Sequence, residues 1–471
     1  MASSREKQRQ QKPPKGGYLQ EEAVNPQGTD GAPSFSPAQT SATTREEGYA
    51  HLMEQVVERA NMYQALHRVE SNKGAPGADG MTIESLRPFL KDHWPEVRKG
   101  LLNGTYQPKP VRRVEIPKPD GGGVRLLGVP TVLDRLIQQA LLQILDPIFD
   151  PTFSPYSYGF RPRRKAQTAV KQAQQYIQEG YRWVVDLDLE KFFDKVNHDI
   201  LMSRVAWKIK DKRVLRLIRR YLQAGVMVDG CCIATEQGTP QGGPLSPLLA
   251  NIMLDEFDWE LMRRGHRFVR YADDSNIYVK SRRAGERVMT SVKQFVEGKL
   301  KLKVNLQKSA IDRPWKRKFL GFSFTSQKEP RIRLAPKTLS RFKDKIRQLT
   351  CRSKSQSMRQ RVERLNTYLL GWIGYFKLAD TRSVIQHLDK WVRRRLRMCY
   401  LKQWKKPKTK KRNLVALGLS LEWSSLISGS RKGYWRLSNT PQVNKALGLA
   451  FWREQGLRSL IERYDNIRST T

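Results

Sequence analysis

Tyr271-Ala272-Asp273-Asp274 sets two adjacent carboxylates between apolar, strand-forming runs. Phe268-Val269-Arg270 precede it and Ser275-Asn276-Ile277-Tyr278-Val279 follow, which predicts two short strands joined by a tight turn. Two negative charges at a hairpin tip repel each other unless a cation sits between them. Hard divalent ions such as magnesium take oxygen ligands and usually come with substrate phosphates. The turn is therefore a candidate half-site for metal-dependent phosphoryl or nucleotidyl transfer, against the plainer reading of a solvated bend. A two-metal site needs a third acid, and the predicted strand from Tyr181 to Asp188 supplies it. Side chains alternate across a strand, so Asp186 and Asp188 share a face with Leu187 opposite. If this strand pairs beside the 268–279 hairpin, one of the two aspartates meets Asp273 and Asp274. The plainer alternatives are that Asp186 caps the turn at Glu190 and that Phe192 and Phe193 are core residues.

Other elements must hold these acids in place. Residues 1–47 are rich in Gln, Pro, Ser, Thr and Gly and read as a disordered polar tail. A helical pattern runs from Tyr49 through Leu52, Val56, Ala60, Tyr63 and Leu66, and stops at a glycine-rich loop, Asn72, Lys73, Gly74, Ala75, Pro76, Gly77, Ala78, Asp79 and Gly80. Val111–Lys118 and Val124–Val129 flank Asp120-Gly121-Gly122-Gly123, which predicts a basic β-hairpin with a mobile tip. Residues 134–148 and 166–178 have helical periodicity. His198, in Asn197-His198-Asp199, reads either as an acid–base group or, more plainly, as part of a helix cap.

The charge balance points to a polyanion. The chain has 87 Lys+Arg against 45 Asp+Glu, a formal net charge of +42, and nucleic acid is the natural partner of such an excess. The 82 residues from 331 to 412 carry 26 of the basic residues and four acids. Aromatics interleave there (Trp372, Tyr375, Phe376, Trp391, Tyr400, Trp404) on a pattern of two or three helices, as core residues or as base-stacking platforms. Residues 413–471 return to mixed composition and read as a small terminal domain. There is no apolar run of about twenty residues and no secretory signal. Cys231, Cys232, Cys351 and Cys399 match neither a disulfide framework nor zinc spacing, which implies a reducing, cytoplasmic setting.

The ordered strings go further. Asn72–Gly80, Ile116-Pro117-Lys118, Gly128–Arg135, Gly159-Phe160-Arg161-Pro162, Phe192-Phe193-Asp194, Gly238–Gly242, Tyr271–Asp274 and Phe319–Phe322 together resemble a bacterial group II intron-encoded reverse transcriptase/maturase, of the compact class lacking an endonuclease domain. The resemblance runs from about Tyr49 to the C-terminus. It implies an α+β right-hand polymerase: fingers and palm with an antiparallel sheet over 48–330, a basic α-helical thumb (maturase domain) over 331–412, and a small DNA-binding domain over 413–471. It implies Asp188, Asp273 and Asp274 as catalytic metal ligands for two Mg2+ ions, or Mn2+ in their place, with Leu189 offering a backbone carbonyl. Lys118, Arg125, Phe193, Gln241 and Lys308 are then the nucleotide-binding residues. Phe193 is the steric gate, Lys308 stands near the pyrophosphate, and the 72–80 loop grips the template. The implied partners are intron RNA, an RNA template–DNA primer duplex, dNTPs and target DNA, with no membrane. The implied function is RNA-directed DNA synthesis together with help in splicing and mobility of the intron. With no nuclease segment seen after residue 471, priming from an existing 3′ end is expected. Two alternatives stand beside this: a splicing cofactor with vestigial polymerase activity, and an intron-independent reverse transcriptase of repair or defence.

Overall fold

The computed structural model describes residues 49, 51–117, 123–228, 231–233, 237–239 and 242–469. The tail at 1–47, the hairpin tip at 120–122, Lys118 and Gln241 lie outside the described residues. The strands are β1 (Val111–Pro117), β2 (Val124–Val129), β3 (Trp183–Leu187), β4 (Val226–Val228), β5 (Cys231–Ile233), β6 (Arg267–Tyr271), β7 (Asp274–Val279), β8 (Ala310–Asp312), β9 (Phe322–Phe324) and β10 (Ile332–Leu334). Most of the remaining chain is helical, and the architecture is the α+β polymerase fold that the sequence implies.

The sheet that matters for chemistry has the order β6-β7-β3-β8 and is antiparallel throughout. Its two faces serve two different cores, as the alternation of a strand dictates. Val185, Leu187, Phe268, Ile277 and Val279 pack into a first core with the helices Val132–Phe149 and Ser246–Arg263. Val184, Val269 and Tyr278, one residue out of phase, pack into a second core with the helices Pro336–Leu349, Met358–Phe376 and Arg382–Gln403. A second four-stranded sheet, β2-β1-β4-β5, carries the basic hairpin, with β1 and β2 antiparallel from Arg112↔Val129 to Pro117↔Val124.

Several elements depart from the sequence reading. The first helical pattern is two helices, Leu52–Val56 and Arg59–Ser71, although no Gly or Pro separates them. The break is held by Asn61, whose amide donates to Val56 O at 2.8 Å and to Ala140 O at 3.2 Å. The change of composition at 330/331 falls inside a hairpin, because β9 and β10 pair from Ile332↔Phe324 to Leu334↔Phe322. The change at 412/413 falls inside the helix Pro407–Ala416. Residues beyond 413 share the second core: Leu414, Trp452, Leu460 and Tyr464 belong to it, and Tyr464 donates its hydroxyl proton to Ala379 O at 2.7 Å. Trp372 and Phe376 are core residues of the same cluster. His198 is buried with Nε2 2.6 Å from Gly238 O, and its neighbour Asn197 caps the following helix through Ile200 N at 3.0 Å, which is the cap reading. Among the described residues no helix is long and apolar enough to cross a membrane.

Candidate active site

The β6–β7 hairpin turns through Ala272 and Asp273, between the paired residues Tyr271 and Asp274. The left-handed position is taken by Ala272, at φ +57, rather than by an aspartate as turn preferences suggest. An alanine there is strained by about 1–2 kcal/mol, so something must hold the turn. Arg270 does. Its guanidinium donates to Ala272 O at 2.8 Å, to Asn251 Oδ1 at 3.0 Å, to Ser157 Oγ at 2.7 Å, and to both carboxylate oxygens of Asp258 at 2.6–2.9 Å. Arg270 and Asp258 are both 0% exposed. The turn is also walled by Gly159: a Cβ there would lie 2.2 Å from Ala272 N. Sequence reasoning did not connect these residues, since Ser157 and Gly159 come from one segment and Asn251 and Asp258 from the helix Ser246–Arg263, about ninety residues further on. The one local signal was an arginine directly after the apolar pair Phe268-Val269 of β6.

β3 brings the third acid. Asp186 stands opposite Asn276 and Leu187 opposite Ser275, so the next residue, Asp188, comes level with Asp274 at the sheet's end. The two aspartates of β3 then diverge in role. Asp186 accepts from Arg317 Nε at 2.9 Å and Nη2 at 2.5 Å, so its charge is already matched. Asp188 Oδ2 is buried without a hydrogen-bond donor, and Lys308 Nζ lies 3.6 Å from it. Leu189 is buried beside it, with Asp188 O accepting from Asn305 N and Glu190 N donating to Lys303 O.

Burial raises the pKa of both turn carboxylates. Asp273 is raised chiefly by desolvation and next by Asp188, while Arg125 and Arg270 pull it back down. Asp274 is pushed up to about 7, first by burial and then by the charges of Asp273, Asp186 and Asp188. Those couplings place Asp188, Asp273, Asp274 and Arg125 in one electrostatic field. Among the described residues, no three His, Cys, Asp or Glu side chains converge into a ready-made metal cage. The donor set nevertheless fits a hard divalent cation: all its ligand atoms are oxygens, one is a buried oxygen without a donor, and mutual repulsion is relieved by positive charge.

Phe193 lies on the short helix Phe192–Lys195, entered through Lys191 in the left-handed region at φ +48. Its ring stacks edge-on against Phe192 at 5.2 Å. Its carbonyl accepts from Thr239 N at 2.6 Å, with Gly238 so close that a Cβ would lie 2.8 Å from the same oxygen. The Gly238–Thr239 segment therefore fixes the ring's backbone. The 72–80 loop is likewise anchored rather than free. Arg135 donates to Ala75 O at 2.6 Å, Arg112 on β1 donates to Pro76 O at 2.8 and 3.1 Å, and Gly77 abuts Thr131. The loop thus joins the base of the basic hairpin, not the acid cluster.

Residues 116–324 match the family model described as reverse transcriptase (RNA-dependent DNA polymerase), and residues 339–418 match the group II intron maturase-specific domain. The chain is 35% identical to the protein YkfC of Escherichia coli K12, over 51% of this chain and 74% of that one. It is 30% identical to the group II intron-encoded protein LtrA of Lactococcus lactis, over 61% of this chain and 60% of that one. It is 34% identical to a putative COX1/OXI3 intron 2 protein of Saccharomyces cerevisiae, over 41% and 22%. The chain thus spans well under two thirds of that yeast relative and about three fifths of LtrA. A reverse transcriptase domain followed by a maturase-specific one, with relatives that include intron-encoded proteins, makes this chain a member of the group II intron-encoded reverse transcriptase/maturase family.

Proposed function

We propose that the chain copies RNA into DNA from a primer 3′-hydroxyl and also binds its intron RNA to assist splicing. The observation that supports the first half is the strand register, which brings Asp188 level with Asp274 and beside Asp273 at one sheet end, with Asp188 Oδ2 lacking a donor. In this reading the three carboxylates and Leu189 O hold two magnesium ions. When bound, those ions favour the 3′-oxyanion and offset charge on the pyrophosphate. The primer oxygen then attacks the α-phosphorus of a dNTP and the pyrophosphate oxygen leaves. Arg125 and Lys118 bring positive charge to the triphosphate from the basic hairpin. Phe193 walls the sugar, so a 2′-hydroxyl overlaps the ring, and Gln241 lines the same pocket. Lys308, already beside Asp188, can give a proton to the departing pyrophosphate. The loop at 72–80 steadies the template against the hairpin.

The second half rests on the basic helices of 331–412 and on the maturase-specific match there. They hold duplex and intron RNA mainly through phosphates, and residues 413–471 contact target DNA. The deciding experiment pairs primer extension on RNA with splicing of the flanking intron RNA, for wild type and Asp273→Ala/Asp274→Ala. Loss of extension with splicing retained supports both functions; extension that survives the double change sinks the site assignment.

A further inference from the structure

Phe160 is the only described residue that is both a large exposed hydrophobic, at 38%, and held in the left-handed region, at φ +58. Each property is unfavourable for folding. A bulky side chain at positive φ costs of the order of 1–3 kcal/mol and persists only where its surroundings over-determine it. Those surroundings are on both sides. Before it, Tyr158 N donates to Arg270 O at 2.9 Å and Arg270 N to Tyr156 O at 2.9 Å, so 156–158 runs along β6. Gly159 accepts from Asn251 Nδ2 at 3.0 Å and touches Ala272 of the catalytic turn. After it, buried Arg161 donates to Asp150 Oδ1 at 2.6 Å and to the carbonyls of Asp150, Ser154 and Ser157 at 2.7–3.0 Å. The chain on either side is locked, and the ring between is left outside, one residue from the glycine that walls the turn carrying Asp273.

Exposed cations follow, past the exposed Pro162. Arg163 is exposed and also left-handed, at φ +59, and Lys165 is exposed. An exposed aromatic followed by cations within five residues fits a nucleic-acid strand, with the ring against a base and the cations against its phosphates. A protein partner would be favoured by a wider apolar patch, and Phe160 has no exposed large apolar neighbour in 156–165.

We propose that Phe160 is a stacking platform for a base of the nucleic-acid strand that ends at the catalytic turn, with Arg163 on the adjoining phosphate. This rests on the polymerase reading given above. The test uses the full chain and an RNA template–DNA primer duplex carrying 2-aminopurine at the primer's 3′ end. Phe160→Gly removes the ring while φ +58 becomes ordinary for the backbone, so its unfolding midpoint should match or exceed that of wild type. Duplex affinity by anisotropy should fall roughly 5- to 100-fold, with loss of the 2-aminopurine fluorescence change, and Phe160→Trp should restore both. If Phe160→Gly binds as tightly as wild type with the same fluorescence change, the inference is overturned. Primer extension by wild type on the same duplex separates the two claims. Extension with a silent Phe160→Gly removes this inference alone, whereas ring-dependent binding without extension removes the polymerase reading and leaves the stacking site.

Discussion

Charge is used in opposite ways on the two sides of the β6-β7-β3-β8 sheet. In the palm, several arginines are matched to carboxylates and mostly enclosed: Arg270 with Asp258, Arg317 with Asp186, Arg161 with Asp150, and Arg204 with Glu256, which Lys299 also reaches. Between 331 and 412, 26 basic residues face four acids, so most cations there cannot have a carboxylate. Some do structural work without one: Arg361 donates to Leu349 O and Cys351 O, and Arg394 lies 3.8 Å over the Trp435 ring. Many others, such as Lys343, Lys390, Lys405 and Lys408, are simply exposed. Paired charge fixes geometry, whereas surplus charge on a stable helical core awaits a polyanion. The unmatched carboxylates of the palm make the same point with the sign reversed.

If that contrast is right, removing an unmatched palm acid should abolish chemistry without loosening the fold. Asp188→Asn, Asp273→Asn or Asp274→Asn should lower single-turnover primer extension by on the order of a thousandfold or more, the size of several kcal/mol of lost metal-ion stabilisation. Urea midpoints should hold steady or rise, because the repulsion between like charges at the sheet's end is relieved; a clear drop in midpoint would mean that these acids are structural.

Breaking a matched pair should do the reverse. Arg270→Met leaves Asp258 buried and alone, at a cost of about 3–5 kcal/mol, read by urea denaturation. Replacing both partners with apolar residues, as Arg270→Met/Asp258→Leu, should recover most of the stability but little of the activity, because Ala272 O still loses its donor. Full recovery of extension would show that Arg270 does not hold the turn.

Asp274 gives a pH test of the palm side. Its folded pKa, about 7, lies above the ordinary carboxylate value of 3.8. The folded state therefore keeps a proton that the unfolded chain has lost, and this contribution to stability fades as pH rises from about 4 to 7. Magnesium needs the carboxylate, so its apparent affinity should rise about tenfold between pH 6 and 8. Asp274→Asn should flatten that dependence, measured by the metal's effect on unfolding temperature.

The smallest effect on the fold belongs to the other side. Lys405→Gln/Lys406→Gln/Lys408→Gln should reduce the slope of log affinity against log salt by about 0.7–0.9 for each phosphate no longer neutralised. Stability should move by no more than about 0.5 kcal/mol. An unchanged slope would place the nucleic acid elsewhere.

What the sequence made legible was local. The 268–279 hairpin, the common face of Asp186 and Asp188, the basic hairpin and the helix over 166–178 all follow from alternation, periodicity and turn residues. The support around them was not legible. Arg270 meets Ser157 across 113 residues, and it meets Asn251 and Asp258 only once their helix has packed against β6, while Arg317 comes from 131 residues away to claim Asp186. Composition likewise placed a boundary at 330/331 because it registers charge and not strand pairing, so it cut the β9–β10 hairpin. The positive φ of Phe160 has no sequence signature at all, since turn preferences place glycine or asparagine there.

The attachment of the basic hairpin has a mechanical consequence. β1 is tied to the rest of its sheet by the parallel pairs Val111↔Val226 and Arg112↔Met227, at its first two residues, while β1 and β2 pair with each other out to Pro117 and Val124. The hairpin is a cantilever clamped at its root, and the grip of Arg112 on Pro76 lies at that same root. A small rotation there sweeps the far end through a much larger arc. Any load on the 72–80 loop is thus delivered at the fulcrum, where it is geared up into travel of the end that carries Arg125.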